Sequence, residues 1–222
     1  MAEPTSQAHT SPSNGDRPIV VLLGGAPGTG KTTVANMLQA EFGLSHHLST
    51  GFIRASIAHL LPEPDARLLK HHTYDAYQAL DGTECSARNI VGSGDDQHSL
   101  LLEGAIRQSM VLKPAIESCI VRAVREGIGM VIEGSHFLPG VLEPGTLEAT
   151  LLCILDVPDR EILKQRVLSP NHSRRRLSDA QLERLLQLQE GIVGLAQVHR
   201  QPVVLNDDLT KTIDQIRCLL SK

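Results

Sequence analysis

Residues 19–33 read IVVLLGGAPGTGKTT: an unbroken apolar run, a turn of small residues, and a Lys-Thr pair that opens an amphipathic stretch. Gly25-Ala26-Pro27-Gly28-Thr29-Gly30-Lys31-Thr32 fits the spacing G-x-x-x-x-G-K-[ST]. In that pattern small side chains let backbone N–H groups wrap phosphate oxygens, the lysine reaches the outer phosphates, and the Thr32 hydroxyl serves Mg²⁺. Thr33 completes the expected cofactor-binding set. The apolar run reads as a buried strand, and TTVANMLQAEF as a helix whose N-terminal dipole adds to the pull on an anion.

Beyond this loop, short apolar runs (HHLS, MVIE, TLLCILDV, PVVL) alternate with helical patterns over the rest of the 222 residues. Strands alternating with helices imply a mostly parallel sheet covered on both faces. The expected fold class is therefore α/β: a doubly wound, five-stranded parallel sheet of the P-loop NTPase type. Residues 1–17, rich in Pro, Ser, Thr, Gln and Asn, cannot recover the entropy of ordering and are expected to form a disordered tail before a single P-loop domain over 18–222. Two stretches interrupt the rhythm. Residues of about 62–98, with a helix expected at Asp65 to Leu80, form a capping insertion, and LSPNHSRRR within about 168–177 forms a lid. After it, Ser178 is a plausible N-cap for a helix that places Leu182, Leu185, Leu186, Ile192, Val193 and Leu195 largely on one side.

Composition narrows the function classes. Aromatic residues make up 2% of the chain (Phe 3, Tyr 2, Trp 0), so the core must be aliphatic and there is almost nothing on which to stack nucleic-acid bases. A formal net charge of -4 likewise argues against a phosphate-backbone binder. No apolar run approaches a membrane span and the first residues lack signal-peptide character, so a cytoplasmic protein with no membrane partner is expected. Cys85, Cys119, Cys153 and Cys218 lie far apart and are expected to be buried free thiols. The sequence says nothing about oligomeric state.

A phosphate loop does not name a reaction, so the rest of the chain must choose. The absence of N-K-x-D and D-x-x-G signatures disfavours a GTPase, and the chain is short for a ring-forming ATPase. A small-molecule kinase using ATP and Mg²⁺ remains. MVIEG at 130–134 reads as a buried strand ending in Glu133, suited to holding Mg²⁺ through water or orienting an acceptor hydroxyl. Arg174, Arg175 and Arg176, joined by Arg166, are candidates to stabilise the transferring group once a lid closes.

The pieces GGAPGTGKTT at 24–33, STGFIR at 49–54, TYDA at 73–76, RAVREG at 122–127, VIEGSHFLPG at 131–140 and LND at 205–207 together resemble the 2-phosphoglycerate kinase family. The resemblance runs from about Ile19 to Ile216. It implies ATP-dependent phosphorylation of a small phosphorylated hydroxy acid, or of a related small alcohol. It further implies that Lys31 and Thr32 bind ATP phosphates and Mg²⁺, that Arg54 faces the acceptor's anion, and that Glu133 and His136 line the acceptor side. Where the family has S-T-D-x-I-R, this chain has Ser49-Thr50-Gly51-Phe52-Ile53-Arg54. A glycine there removes a hydrogen-bond partner and leaves space. The acceptor is then expected to differ from 2-phosphoglycerate, or to be oriented by Glu133, His136 or Asp75.

Lys70, His71, Tyr74 and Arg107 are candidates for a second basic patch, with Tyr74 taken as substrate-binding alongside Arg54 and His136. Asn206 and Asp207 either touch the nucleotide base or cap the last helix. Phe52, Tyr74, Tyr77 and Phe137 fall in segments expected to border the acceptor pocket, which suggests a partly apolar wall. A kinase for another small alcohol or nucleoside, and a regulatory ATP-binding module without catalysis, remain as alternatives.

Overall fold

The computed structural model describes residues 17–80, 96–169 and 177–221. The expected tail, all but Arg17, lies outside these residues, as do most of the expected lid, including Arg174, Arg175 and Arg176, and the 81–95 part of the insertion.

Five strands form one sheet: β1 (Val20–Gly24), β2 (His46–Ser49), β3 (Met130–Glu133), β4 (Leu151–Asp156) and β5 (Val203–Leu205), in the order β2-β3-β1-β4-β5. Every neighbouring pair is parallel. Helices α1 (Lys31–Phe42), α2 (Thr50–Ile57), α3 (Asp65–Lys70), α4 (Asp96–Glu126), α5 (Pro144–Glu148), α6 (Arg160–Leu168), α7 (Asp179–Val198) and α8 (Leu209–Leu220) complete the described elements, with a 3₁₀ helix at Thr73–Ala79. Among the described residues no helix is long and apolar enough to cross a membrane.

Alternation along β1 explains why the sheet is covered twice. Val20 and Leu22 join Ile132, Leu152 and Ile154 in a cluster with α4 and α7, whereas Val21 and Leu23 join Val131, Cys153 and Leu155 in a cluster with α1 and α8. A strand buried on both faces needs apolar residues at consecutive positions, which is why IVVLL carries no polar residue. The core is aliphatic, with Tyr74 and Phe137 its buried aromatics.

The register determines where the site lies. Leu23 and Ser49 both align with Glu133, so β1, β2 and β3 end at one level, and the segments that leave them meet at the carboxyl edge of the sheet. Open α/β sheets bind ligands at this edge, where the strand order reverses. Crowding there is severe: a Cβ added to Gly134 would fall 1.7 Å from Thr50 Oγ1.

Two local expectations need correction. The single helix expected over Asp65 to Leu80 is broken at His71 and His72, both extended, into α3 and the 3₁₀ helix. At the break Arg54 donates to the Leu69 and His71 carbonyls and Gln108 donates to those of Leu68 and His71, so distant side chains take the backbone acceptors that a continuous helix would use. The thiols also differ from expectation: Cys153 is buried, its pKa pushed up to about 12 by burial, but Cys119 is half-buried and Cys218 exposed, while Cys85 lies outside the described residues. Ser178 does cap α7, forming a reciprocal capping box with Gln181.

Candidate active site

The loop between β1 and α1 closes on itself before it meets any ligand. Thr29 Oγ1 donates to the Ala26 carbonyl at 3.0 Å and Lys31 Nζ to the same oxygen at 2.8 Å. Left-handed Gly30 starts α1, so the first-turn N–H groups of Lys31, Thr32 and Thr33 have no helical acceptor and are available to an anion. Behind the loop two buried amides hold it. Gln189 Oε1 accepts from the Ala26 N–H at 2.8 Å while its Nε2 donates to Leu155 O and Asp156 Oδ1. Asn206 Nδ2 donates to the Thr29 carbonyl at 2.7 Å, and its Oδ1 accepts from Thr212 Oγ1 at 3.0 Å.

Asn206 is therefore a brace for the loop. The cap of α8 is Asp208, whose side chain accepts from the Lys211 N–H. Asp207 holds the Asp208 N–H.

Glu133 is 6% exposed, and its Oε1 accepts from Thr32 Oγ1 at 3.4 Å. Burial pushes the Lys31 ammonium down to about 8, opposed by the Glu133 carboxylate beside it. Hydroxyl and carboxylate oxygens side by side form a donor set that suits Mg²⁺, which takes a few protein oxygens and completes its shell with water and phosphate.

Two cavities meet at this point. The larger, of about 740 Å³, is bounded by Pro27, Gly28, Gly30, Lys31, Thr32, Thr33, Tyr74, Arg166, Leu177, Asn206 and Asp207 among others. The smaller, of about 390 Å³, lies among Ser49, Thr50, Gly51, Phe52, Arg54, Thr73, Glu133 and His136. Pro27, Lys31, Thr32 and Tyr74 line both. Arg166 reaches the larger cavity with Nη1 donating to Asn206 O at 2.8 Å.

On the smaller cavity's wall, His136 is 4% exposed and engaged through both ring nitrogens. Nδ1 lies 2.7 Å from Thr50 Oγ1, and Nε2 lies 3.1 Å from Gln108 Oε1 and 3.3 Å from Thr73 Oγ1. Because Gln108 Nε2 is already donating to two carbonyls, its Oε1 faces the ring as an acceptor, which assigns the imidazole proton to Nε2 and makes Nδ1 the acceptor from Thr50. Burial, with the Arg54 and Lys31 cations nearby, pushes the His136 pKa down to about 3, so the ring is neutral.

The structure thus brings the loop residues, Glu133, Arg54, Tyr74 and His136 to one edge of the sheet. Asp75, expected as an alternative orienting group, is turned away: its carboxylate is bound by Arg184 and Gln181. Lys70 pairs with Glu63 at the surface, and neither it nor Arg107 lines either cavity. Of the four aromatics expected at the acceptor side, Phe52, at 80% exposure, and Tyr74 line the smaller cavity, whereas Phe137 is buried in the core and Tyr77 packs beneath Arg184.

A protein-family model described as Zeta toxin matches residues 3–118, just over half of the chain. The chain belongs to the Zeta toxin family. The matched span contains the phosphate loop, Arg54 and Tyr74, and stops short of Glu133 and His136. Among curated proteins, this Zeta toxin family member is 29% identical over 202 residues to a 2-phosphoglycerate kinase of Pyrococcus horikoshii, covering 90% of this chain and 63% of the relative. It is 28% identical over 214 residues to a 2-phosphoglycerate kinase of Methanocaldococcus jannaschii, covering 92% and 63%. The chain thus spans under two thirds of the length of these relatives. The resemblance read from the motifs extends over most of the chain. Among solved structures, a gluconokinase from Sinorhizobium meliloti 1021 shares the fold at 14% identity and a TM-score of 0.50, covering 92% of this chain and 94% of that one.

Gln189 escaped notice in the sequence, although a signal was present. It lies three and four residues from Leu186, Leu185, Ile192 and Val193, a glutamine on the apolar side of an amphipathic helix. Such a residue needs a buried partner.

Proposed function

We propose that this chain is an ATP-dependent kinase that transfers the γ-phosphoryl group to a hydroxyl of a small, phosphorylated acid, with 2-phosphoglycerate as the reference acceptor. The observation that carries the reading is the meeting of two cavities at Pro27, Lys31, Thr32 and Tyr74, one headed by the phosphate loop and one by Arg54. A donor and an acceptor held in adjacent chambers react at their shared wall, and phosphoryl transfer asks of a protein mainly positioning and electrostatic stabilisation.

In this reading the first-turn amides of α1 and Lys31 hold the outer phosphates. Thr32 and Glu133 would hold Mg²⁺, which supplies charge neutralisation between the phosphates when bound. Arg54, held by the Leu69 and His71 carbonyls on the wall of the smaller cavity, supplies the positive charge that attracts the acceptor's anion. Glu133 orients the acceptor hydroxyl. His136 stays neutral and shapes the wall through Thr50, Thr73 and Gln108. Arg174, Arg175 and Arg176, joined by Arg166, are assigned to stabilise the transferring group.

Gly51 favours an acceptor related to 2-phosphoglycerate but not identical with it. A Cβ at this position would meet only Ser49 Oγ, at 3.5 Å, so the missing side chain reflects chemistry and not a lack of room. The test is ADP release with ATP, Mg²⁺ and a panel of phosphorylated hydroxy acids, phosphorylated alcohols, their unphosphorylated counterparts and nucleosides. Turnover that requires a phosphate on the acceptor and vanishes in Lys31→Ala supports the proposal. ATP consumption that no acceptor stimulates would overturn it in favour of a regulatory module.

A further inference from the structure

Tyr74, 3% exposed and stacked on His72 with ring centroids 5.4 Å apart, lines both cavities. Its neighbour Asp75 faces α7. Asp75 Oδ1 accepts from Arg184 Nε at 3.1 Å, from Arg184 Nη2 at 2.7 Å and from Gln78 Nε2 at 3.3 Å, and Oδ2 accepts from Gln181 Nε2 at 3.1 Å. Arg184 also lies over the Tyr77 ring, 5.8 Å from its centroid. The two side chains of the pair are 20% and 9% exposed, so water competes little for either. On its other side the 3₁₀ helix lies flush on α4: a Cβ at Gly104 would stand 2.3 Å from the Tyr77 nitrogen.

These contacts hold the 3₁₀ helix between α7 on one side and α4 on the other. The helix that grips it is the same one that holds the phosphate loop, since Gln189 follows Arg184 by five residues and accepts from the Ala26 N–H. A rigid α7 therefore references Tyr74 to the loop across more than a hundred residues of sequence.

We propose that Asp75 and Arg184 form a latch, a positioning pair that lines neither cavity and holds Tyr74 at the junction of the two. The acceptor chamber, part of whose wall is His72, Thr73 and Tyr74, is complete only when the latch is closed. This rests on the reading of the two cavities as donor and acceptor sites.

The experiment compares the full-length chain with Arg184→Ala, Asp75→Asn and the swapped double variant Asp75→Arg/Arg184→Asp. The chain has no tryptophan and two tyrosines, both in the 3₁₀ helix, so its intrinsic fluorescence reports on this element alone. Acrylamide quenching of that emission in ligand-free protein should rise about twofold or more in each single variant, as local opening exposes a buried ring. It should return toward wild type in the swap. With the panel acceptor that wild type turns over fastest, the single variants should raise the acceptor KM by about tenfold to a hundredfold, the scale expected of misplaced positioning groups. The ATP Kd, read by nucleotide titration without acceptor, should change by less than about threefold, because Gln189 still holds the loop.

Unchanged quenching in folded single variants overturns the latch. So does a loss of ATP affinity equal to the loss of acceptor affinity, which would mark general loosening. Arg184→Lys, which keeps the charge but loses the forked geometry, replaces Arg184→Ala if that variant does not fold, with the same outcomes. If wild type turns over no acceptor of the panel, the functional reading fails in the kinetic arm, while the fluorescence arm still decides the latch.

Discussion

Replacing Lys31 by methionine should abolish phosphoryl transfer and at the same time stabilise the ligand-free fold. Burial pushes the Lys31 pKa from 10.5 to about 8 even with Glu133 beside it. At 1.36 kcal/mol per unit, that depression corresponds to about 3 kcal/mol of destabilisation when the lysine is charged in both states. The sign follows from proton counting. Between pH 8 and 10.5 the unfolded chain binds more protons at this site than the folded one, so stability rises with pH across that window, and below pH 8 the full penalty is present. Methionine keeps most of the apolar stem and removes the charge, at the loss of the 2.8 Å charge-assisted bond to the Ala26 carbonyl, which is worth about 1.5–3 kcal/mol. A net gain of up to about 2 kcal/mol should raise the melting temperature by up to about 8 °C for a chain of this size. Thermal melts followed by circular dichroism at pH 7, without nucleotide, measure this directly. Repeated at pH 10, the advantage of the variant should shrink. Mg-ATP should raise the wild-type melting temperature and leave that of Lys31→Met nearly unmoved, because the loop has lost its phosphate partner. A ligand-free Lys31→Met that melts at or below wild type would refute the reasoning, since it would mean that the buried ammonium is not a burden on the empty site.

Three further outcomes are expected. His136, held neutral with a pKa near 3 by burial and by the Arg54 and Lys31 cations, contributes stability that is fully present above pH 6.5 and lost as pH falls toward 3. The loss should approach about 1.4 kcal/mol per pH unit, and His136→Gln, which can still accept and donate, should flatten that acid limb in urea titrations between pH 4.5 and 7. Gly134→Ala, whose Cβ would lie 1.7 Å from Thr50 Oγ1, should destabilise by at least about 1–3 kcal/mol, and urea unfolding that matches wild type would contradict the packing at this crossing. Gly51→Asp should fold with a stability change within about 1 kcal/mol, because its Cβ meets nothing closer than 3.5 Å. Its KM values across the acceptor panel then isolate the effect of a carboxylate on acceptor choice.

What depends on chain neighbours is legible in the residues themselves. The glycine spacing of residues 25–32 dictates a phosphate-binding backbone wherever the loop is placed, the two-sided apolar runs dictate a covered parallel sheet, and Ser178 with Gln181 dictates the start of α7. The meagre aromatic content led to an aliphatic core, which the structure has. Pairings between polar groups far apart in the chain arise only on packing. Gln189 meets Ala26 across 163 residues and Arg184 meets Asp75 across 109. Neither partner carries a local signature of the other, because a buried hydrogen bond is specified by which helix faces which loop after packing. The same cause broke the helix expected over Asp65 to Leu80, since Arg54 and Gln108 arrive from other elements to take its carbonyls. It also turned Asp75 from an expected acceptor group into the anchor of an adjoining helix. Periodicity and turn chemistry are properties of short segments, and so can be read from them; the partner of a buried polar atom is a property of the assembled fold.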